Sequence, residues 1–175
     1  MTTLLDSWRL LASRSGASLL AAGAIVWATL LPVAAAAAAA APHGVITRSA
    51  VFLVYGVGRV VCHQRPERSF HWGAAPWPVC ARCAGVYAGA AIVALLLLAW
   101  RLPSMPTVGR ARWWLALGAS PAVASLAYEW VVGVMPSHVT RMVTGVPLGV
   151  ALAMLVLAML GAEAEGLVQR TDEVD

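Results

Sequence analysis

Residues 83–100 read CAGVYAGAAIVALLLLAW and contain no Asp, Glu, Arg or Lys. A helix rises about 1.5 Å per residue, so a stretch of roughly this length crosses the ~30 Å hydrocarbon core of a bilayer. The segment therefore predicts a transmembrane helix. The whole chain agrees, because its 175 residues are 61% hydrophobic and 11% charged, with a mean hydropathy of +0.78. That leaves too little polar surface to cover a soluble globule.

Other charge-poor windows predict further helices of the same kind. The sequence indicates an all-α, polytopic helical protein of the cell membrane, with about five transmembrane helices in one domain, residues 1–162. The window 44–62 is the weakest because it holds Arg48 and Arg59, although each lies near an end where its side chain can reach the headgroups. Residues 163–175 are acidic and are expected to form a disordered tail. The expected spans are 17–41, 44–62, 83–101, 112–131 and 141–161.

The first apolar segment has two interpretations. Arg9 and Arg14, an apolar core and an alanine run also fit a cleaved secretory signal peptide. We favour a retained helix, because the apolar stretch is longer than an ordinary signal core. Pro32 within it is expected to kink or divide the helix.

The arginines give a weak signal for orientation. With five spans and a cytoplasmic amino terminus, seven arginines fall on the cytoplasmic side and five on the other. This predicts that the loop between the second and third spans is cytoplasmic. The arginines are scattered among apolar spans and form no basic stripe, so nucleic acid is excluded as a partner and the lipid bilayer is the expected one.

Two predicted spans carry a glycine packing motif. Gly85 and Gly89 in one, and Gly145 and Gly149 in the other, each place two glycines one turn apart on one helix face. Such GxxxG faces let a second helix backbone approach closely. The partner helix could belong to the same chain, to a second copy in a homo-oligomer, or to another membrane protein.

All three cysteines of the chain lie between the second and third predicted spans. Cys62 ends one span and is followed by His63, whereas Cys80 and Cys83 form a Cys-x-x-Cys at the start of the next. A helical hairpin would bring both ends together, and three thiols with a histidine are the ligand types of a Cys3His zinc site. We therefore expect Cys62, His63, Cys80 and Cys83 to bind Zn²⁺ or another soft divalent metal.

Two alternatives compete with the metal site. Cys80 and Cys83 also fit a membrane thiol-disulfide oxidoreductase, with Cys62 as a resolving thiol. The cysteines could instead be small buried residues that only pack, in a protein serving as a packing subunit of a larger membrane complex. No catalytic residue is assigned, and whether the chain is an enzyme stays open.

The remaining polar candidates are charged residues near the predicted span ends. In the cysteine loop, Arg65, Arg68 and Arg82 form either a solvated surface or a cationic clamp for an anion, a lipid headgroup or a thiolate. Glu129 lies within a predicted span, where a carboxylate is costly and is usually paired, and Arg141 is its expected partner. His71 and His138 are expected in surface loops.

These motifs resemble an uncharacterised prokaryotic integral-membrane family known only as a domain of unknown function. The resemblance spans about residues 51–149 and implies a small multi-span helical protein with a polar cysteine loop, but no activity, cofactor or catalytic residue. The chain departs from the family pattern in one place, since an Asp and a Gln usually stand in the late span where this chain has Glu129 and apolar neighbours. The resemblance rests on Cys62-His63-Gln64, Pro66-Glu67-Arg68-Ser69-Phe70, Pro78-Val79-Cys80-Ala81-Arg82-Cys83, Gly85, Tyr87, Gly89, Arg141, Thr144, Gly145 and Gly149.

Overall fold

The computed structural model describes residues 4–40, 44–100 and 107–172, with side-chain environments for 16–40, 44–99 and 107–162. Within these residues the chain forms five long helices, as the sequence predicts. Four of them are long and apolar enough to cross a bilayer, over Gly16–Ala39, Ala81–Ala99, Val108–Val132 and His138–Ala162. The helices are α1 (Leu4–Ala39), α2 (Val45–Val61), α3 (Ala81–Trp100), α4 (Val108–Val132) and α5 (His138–Asp172).

Helices α3 and α5 form the tightest pair, and their glycines allow it. A Cβ atom at Gly85 would clash with the backbone oxygen of Met142, and one at Gly149 would clash with that of Val86. Gly89 and Gly145 meet the opposite backbone in the same way, so the two GxxxG faces pack against each other within one chain. Oligomerisation stays a prediction, but a partner would need a different surface.

The contacts define the direction of each helix. Gly85 meets Met142 and Gly89 meets Val146, so the contacts advance in the same direction along both helices and α3 and α5 run parallel. Helix α1 runs antiparallel to α3, because Leu31 packs near the start of α3 beside Val79, whereas Ala21 lies across a cavity from Ala94, near the end of α3. The start of α3, the start of α5 and the end of α1 therefore lie at one end of the bundle, which we call the cysteine end.

Helix α2 differs from the expected span 44–62. It has 17 residues, and both of its ends lie at the cysteine end: Arg48 shares a cavity with Ala38, near the end of α1, and Cys62 packs against Leu31, two turns earlier. If α2 crossed the membrane between α1 and α3, then α1 and α3 would run parallel. Their contacts show that they run antiparallel. Helix α2 therefore folds back along the last turns of α1. Its outward side exposes the apolar residues Val45, Ile46, Phe52, Leu53, Val57 and Val60, which fits a helix lying at the membrane interface.

This arrangement changes the expected orientation. One apolar helix, α1, leads to the cysteine end, so the start of α1 and the cysteines lie at opposite ends of the bundle rather than at the same end. Two smaller expectations also change. Helix α1 is continuous through Pro32, so the proline does not divide it, and the expected kink stays a prediction. Helix α5 extends through the expected disordered tail as far as Asp172, with residues 173–175 outside the described part.

The segment between α2 and α3 is short but ordered by local contacts. A 3-10 turn at Pro66–Arg68 leads into a two-stranded antiparallel hairpin of β1 (His71–Trp72) and β2 (Ala75–Pro76). Gly73 turns the hairpin with a φ of 58°, a left-handed conformation that glycine adopts without steric cost. Beyond β2 the chain returns along α2 to the start of α3, and this path brings Cys80 back to Cys62.

Candidate functional site

The three cysteines meet at the cysteine end, as the hairpin geometry predicts. The Sγ atoms of Cys62, Cys80 and Cys83 all lie within 4.8 Å of one another, and all three thiols are free. Thiolates bound to one zinc ion at ~2.3 Å stand roughly 3.8 Å apart in a tetrahedral site. Small side-chain rotations would therefore bring the three sulfurs to one ion.

Two segments of the chain hold these sulfurs. Cys62 follows the last turn of α2, and its backbone N–H donates to the Gly58 oxygen at 2.9 Å. Cys80 precedes α3, where its oxygen accepts from Ala84 N–H at 2.9 Å, and its own N–H donates to Cys62 Sγ at 3.3 Å. An N–H at the start of a helix stabilises negative charge on sulfur. The backbone therefore favours thiolates at this position.

Gln64 joins the two segments by hydrogen bonds. Its Nε2 donates to the backbone oxygens of Tyr55 and Pro78, each at 2.7 Å. Its own φ of 47° is left-handed, which is uncommon for a residue other than glycine. Gly58 allows the close approach, since a Cβ there would clash with the Pro78 oxygen. In the sequence, Gln64 appeared only as part of a motif and Gly58 gave no signal, because both roles depend on the path of the chain after β2.

His63 is exposed and lines the cavity beside the cysteines, but its ring nitrogens are outside the cluster of ligand atoms found among the described residues. The cavity has a volume of about 410 Å³, and its wall also includes Arg65 and Arg68. A fourth ligand from His63 would need a change of side-chain position. The cavity leaves room for a ligand from solution instead.

The surroundings of Cys80 also lower the pKa of its thiol. The pKa of Cys80 falls from 9.0 to about 5, mainly because Cys83 donates a hydrogen bond to its sulfur, although burial acts in the opposite direction. The Cys80 thiol therefore ionises more readily than an ordinary cysteine thiol. A thiolate at neutral pH serves both metal binding and nucleophilic attack.

Glu129 and Arg141 form the expected ion pair, and two further arginines join it. Glu129 Oε1 lies 2.9 Å from Arg141 Nη2 and 2.9 Å from Arg68 Nη2, and Oε2 lies 3.6 Å from Arg82 Nη2. Arg82 also donates to Ser125 Oγ at 3.2 Å. Glu129 and Arg141 are buried, with 8% and 1% of their surfaces exposed. We call Arg68, Arg82, Glu129 and Arg141 the arginine cluster.

The sequence missed the convergence of Arg68 and Arg82 on Glu129. Both arginines were assigned to the surroundings of the cysteines, and Arg68 does reach that cavity. No spacing in the sequence gave a signal for the cluster, because it depends on the parallel direction of α3 and α5, which puts both of their first turns beside the end of α4. The two histidines differ: His71 is exposed as expected, whereas His138 is half-buried and its ring packs 5.7 Å from that of Phe70.

The role of Gln64 leads to a prediction. Removing its side chain leaves two backbone oxygens without their donor, so we expect Gln64→Ala to lower the free energy of unfolding by about 1–3 kcal/mol. Gln64→Gly removes the same hydrogen bonds but relieves the left-handed backbone. Unfolding in mixed micelles, titrated with dodecyl sulfate, measures both. If Gln64→Ala were as stable as the wild type, the side chain would contribute nothing and the bridging role would be wrong.

These features define a polytopic helical membrane protein with a thiol cluster at one end of its bundle. The chain belongs to the family described as predicted membrane protein DUF2085, whose model matches residues 62–155. This confirms the resemblance seen in the sequence. The match begins at Cys62 and includes the three cysteines, the arginine cluster and the paired glycines, whereas α1 and α2 precede it.

The chain is also similar to a protein of Methanothermobacter thermautotrophicus (strain Delta H) described as "Uncharacterized protein". The two are 34% identical over 98 residues, which cover 55% of this chain and 85% of the relative. No solved structure gives a significant match. The comparisons thus show a membrane family without assigning it an activity.

Proposed function

We propose that Cys62, Cys80 and Cys83 bind a soft divalent metal ion such as Zn²⁺ at the cysteine end of the bundle. The observation that carries this proposal is the convergence of three free thiols, with all Sγ atoms within 4.8 Å, from two segments 18 residues apart. Thiolates are the preferred ligands of Zn²⁺ and of other soft metals. Three sulfurs satisfy three of the four tetrahedral positions.

The fourth coordination position of the metal supports a role for the site beyond a purely structural one. Structural zinc sites are closed by four protein ligands, whereas sites that act on a ligand keep one position open. Here the thiols line the cavity, and the exposed His63 in the cavity wall is a further side chain of a type that binds zinc. The proposed activity is therefore metal handling or metal-assisted ligand binding, with His63 as an exchangeable fourth ligand.

We place the cysteine end on the cytoplasmic side, although the arginine count no longer favours either side. Six of the twelve arginines lie at this end: Arg48, Arg59, Arg65, Arg68, Arg82 and Arg141. The support comes from the thiols, because a cytoplasm keeps cysteines reduced and able to bind metal. Labelling of intact cells with a membrane-impermeant maleimide tests this, and labelling of Cys80 without cell lysis would contradict it.

Metal analysis of the full chain in detergent tests the site directly. We expect a stoichiometric soft metal in the wild type, and its loss from Cys62→Ser and Cys83→Ser, because each removes one of three thiolates. His63→Ala should weaken binding less, and His71→Ala, an exposed histidine of β1, serves as the matched control. Metal-free protein that also fails to bind added Zn²⁺, with all thiols titrating equally with and without chelator, would refute the proposal.

A membrane dithiol oxidoreductase is the second candidate, favoured by the low pKa of Cys80 beside Cys83. In that reaction Cys80 thiolate attacks a substrate disulfide and releases one thiolate, and Cys83 thiolate then displaces the second. The substrate gains two electrons, its two thiolates take up one proton from Cys83 and one from solvent, and Cys80 and Cys83 become a disulfide. A reversible Cys80–Cys83 disulfide in metal-free protein, measured by mass spectrometry across thiol buffers, would favour this candidate over the metal site.

A further inference from the structure

We propose that the cavity beside the cysteines is a binding site for a phosphate-type oxyanion, held by Arg65 and Arg68 and stabilised by the buried charge behind them. The ligand is a phosphate group, carried either by a lipid headgroup or by a soluble molecule. The inference concerns the arginines and does not depend on a metal at the thiols.

The first argument is the charge of the arginine cluster. Three guanidinium groups surround one carboxylate, so the cluster carries 3 − 1 = +2. Arg141 and Glu129 are almost fully buried, where water cannot screen the excess. An uncompensated positive charge of this kind is costly, and a bound anion removes the cost.

The second argument is the set of guanidinium atoms without hydrogen-bond acceptors. Arg141 is 1% exposed, and its Nε and Nη1 have no acceptor among the described residues. The same is true of the Nε atoms of Arg68 and Arg82. Buried guanidinium groups are normally satisfied by oxygen acceptors, and phosphate oxygens are among their preferred partners. One buried acceptor of the cluster, Glu129 Oε2, also has no hydrogen-bond partner, but the unpaired guanidinium nitrogens outnumber it.

The third argument is access. Among the cluster's three arginines, Arg68 is the one in the cavity wall, and 33% of its side chain is exposed. Arg65 lies in the same wall. A volume of about 410 Å³ accommodates a phosphate group together with several attached atoms. An anion seated there would contact Arg65 and Arg68 directly, and would feel Arg82 and Arg141 through a medium of low dielectric constant.

The need for an anion persists whether or not a metal is bound. Three thiolates and a divalent ion carry 2 − 3 = −1, which the single charge of Arg65 offsets. The +2 of the arginine cluster is then still unbalanced. Val61 in the cavity wall and its neighbour Val60 expose 52% and 86% of their surfaces, so an acyl chain could lie beside a phosphate in the cavity.

Equilibrium dialysis of the full chain in detergent with inorganic phosphate tests the site, at constant ionic strength and in chelator so that no metal can hold the phosphate. We expect saturable binding that weakens at least about tenfold in Arg65→Gln and in Arg68→Gln, since each removes a charge-assisted donor. Arg112→Gln, at the exposed far end of α4, is the matched control and should bind as the wild type does. Arg65→Gln keeps the test valid if Arg68→Gln fails to fold.

A second arm distinguishes the sources of the phosphate. Native mass spectrometry compares retention of phosphatidylglycerol and phosphatidylcholine by the same variants. An Arg65-dependent preference for phosphatidylglycerol, without binding of free phosphate, assigns the site to a lipid headgroup, and the reverse pattern assigns it to a soluble phosphate. If the wild type binds neither, or if Arg65→Gln and Arg68→Gln bind as the wild type does, the inference is overturned. Metal content is measured separately, so that result leaves the proposed metal site untouched.

Discussion

Glu129→Gln is expected to be among the most damaging single substitutions in this protein. The change is nearly isosteric, but it leaves Arg68, Arg82 and Arg141 without their shared counter-charge at the end of the bundle. Removing one partner of a buried ion pair typically costs about 3–5 kcal/mol, because the remaining charge is uncompensated. Here three charges are affected. We expect a loss of at least that size in dodecyl sulfate unfolding, or no folded protein.

Substitution of an arginine partner should cost less stability than substitution of Glu129. Arg141→Gln leaves the carboxylate paired with two arginines, so it should cost less than Glu129→Gln. In the Glu129→Gln background, Arg141→Gln should be neutral or stabilising, because it removes a like charge. The double variant should not regain wild-type stability, since Arg68 and Arg82 remain unpaired. Additive costs would show that the pair is not coupled, and the exposed Glu67→Gln serves as the control, expected within about 0.5 kcal/mol of the wild type.

Gly149→Leu is expected to prevent the α3–α5 pair from forming. A single Cβ at this position already clashes with the backbone of Val86, and backbone atoms cannot rotate away as a flexible side chain can. Even Gly149→Ala should therefore lower the free energy of unfolding by about 1–3 kcal/mol, as overpacking does in other cores. Because α3 starts beside the cysteines and α5 starts beside Arg141, separation of these helices should disturb both sites.

Gly161→Ala is the matched control in the same helix, because nothing lies within 4 Å of a Cβ built there. Alanine is the better helix former by about 1 kcal/mol, so this variant should be as stable as the wild type or more stable. Equal losses at Gly149 and Gly161 in dodecyl sulfate unfolding would show that helix propensity, rather than close packing, controls the pair.

Much of the site follows from local spacing in the sequence. Cys62 at the end of one helix and Cys80 at the start of another must face the same loop, whichever way the helices tilt. The pairing of Glu129 with Arg141 follows from a similar argument, because one short connection joins α4 to α5 and a buried carboxylate needs a cation. The roles of Gln64 and Gly58 did not follow, since both depend on the segment after β2 returning along α2.

The sequence by itself determined the membrane class, the five helices, the glycine faces and the thiol cluster, because hydropathy, helical period and short connections are local properties. Only the tertiary structure decided that α2 folds back along α1, since a 17-residue helix with two arginines fits either a short span or an interfacial helix. Because α2 folds back, α1 runs antiparallel to α3, and the start of α1 and the cysteines lie at opposite ends of the bundle. The tertiary structure also decided that Arg82 and Arg141 meet at one carboxylate. Their convergence depends on the parallel packing of α3 and α5, and not on spacing along the chain.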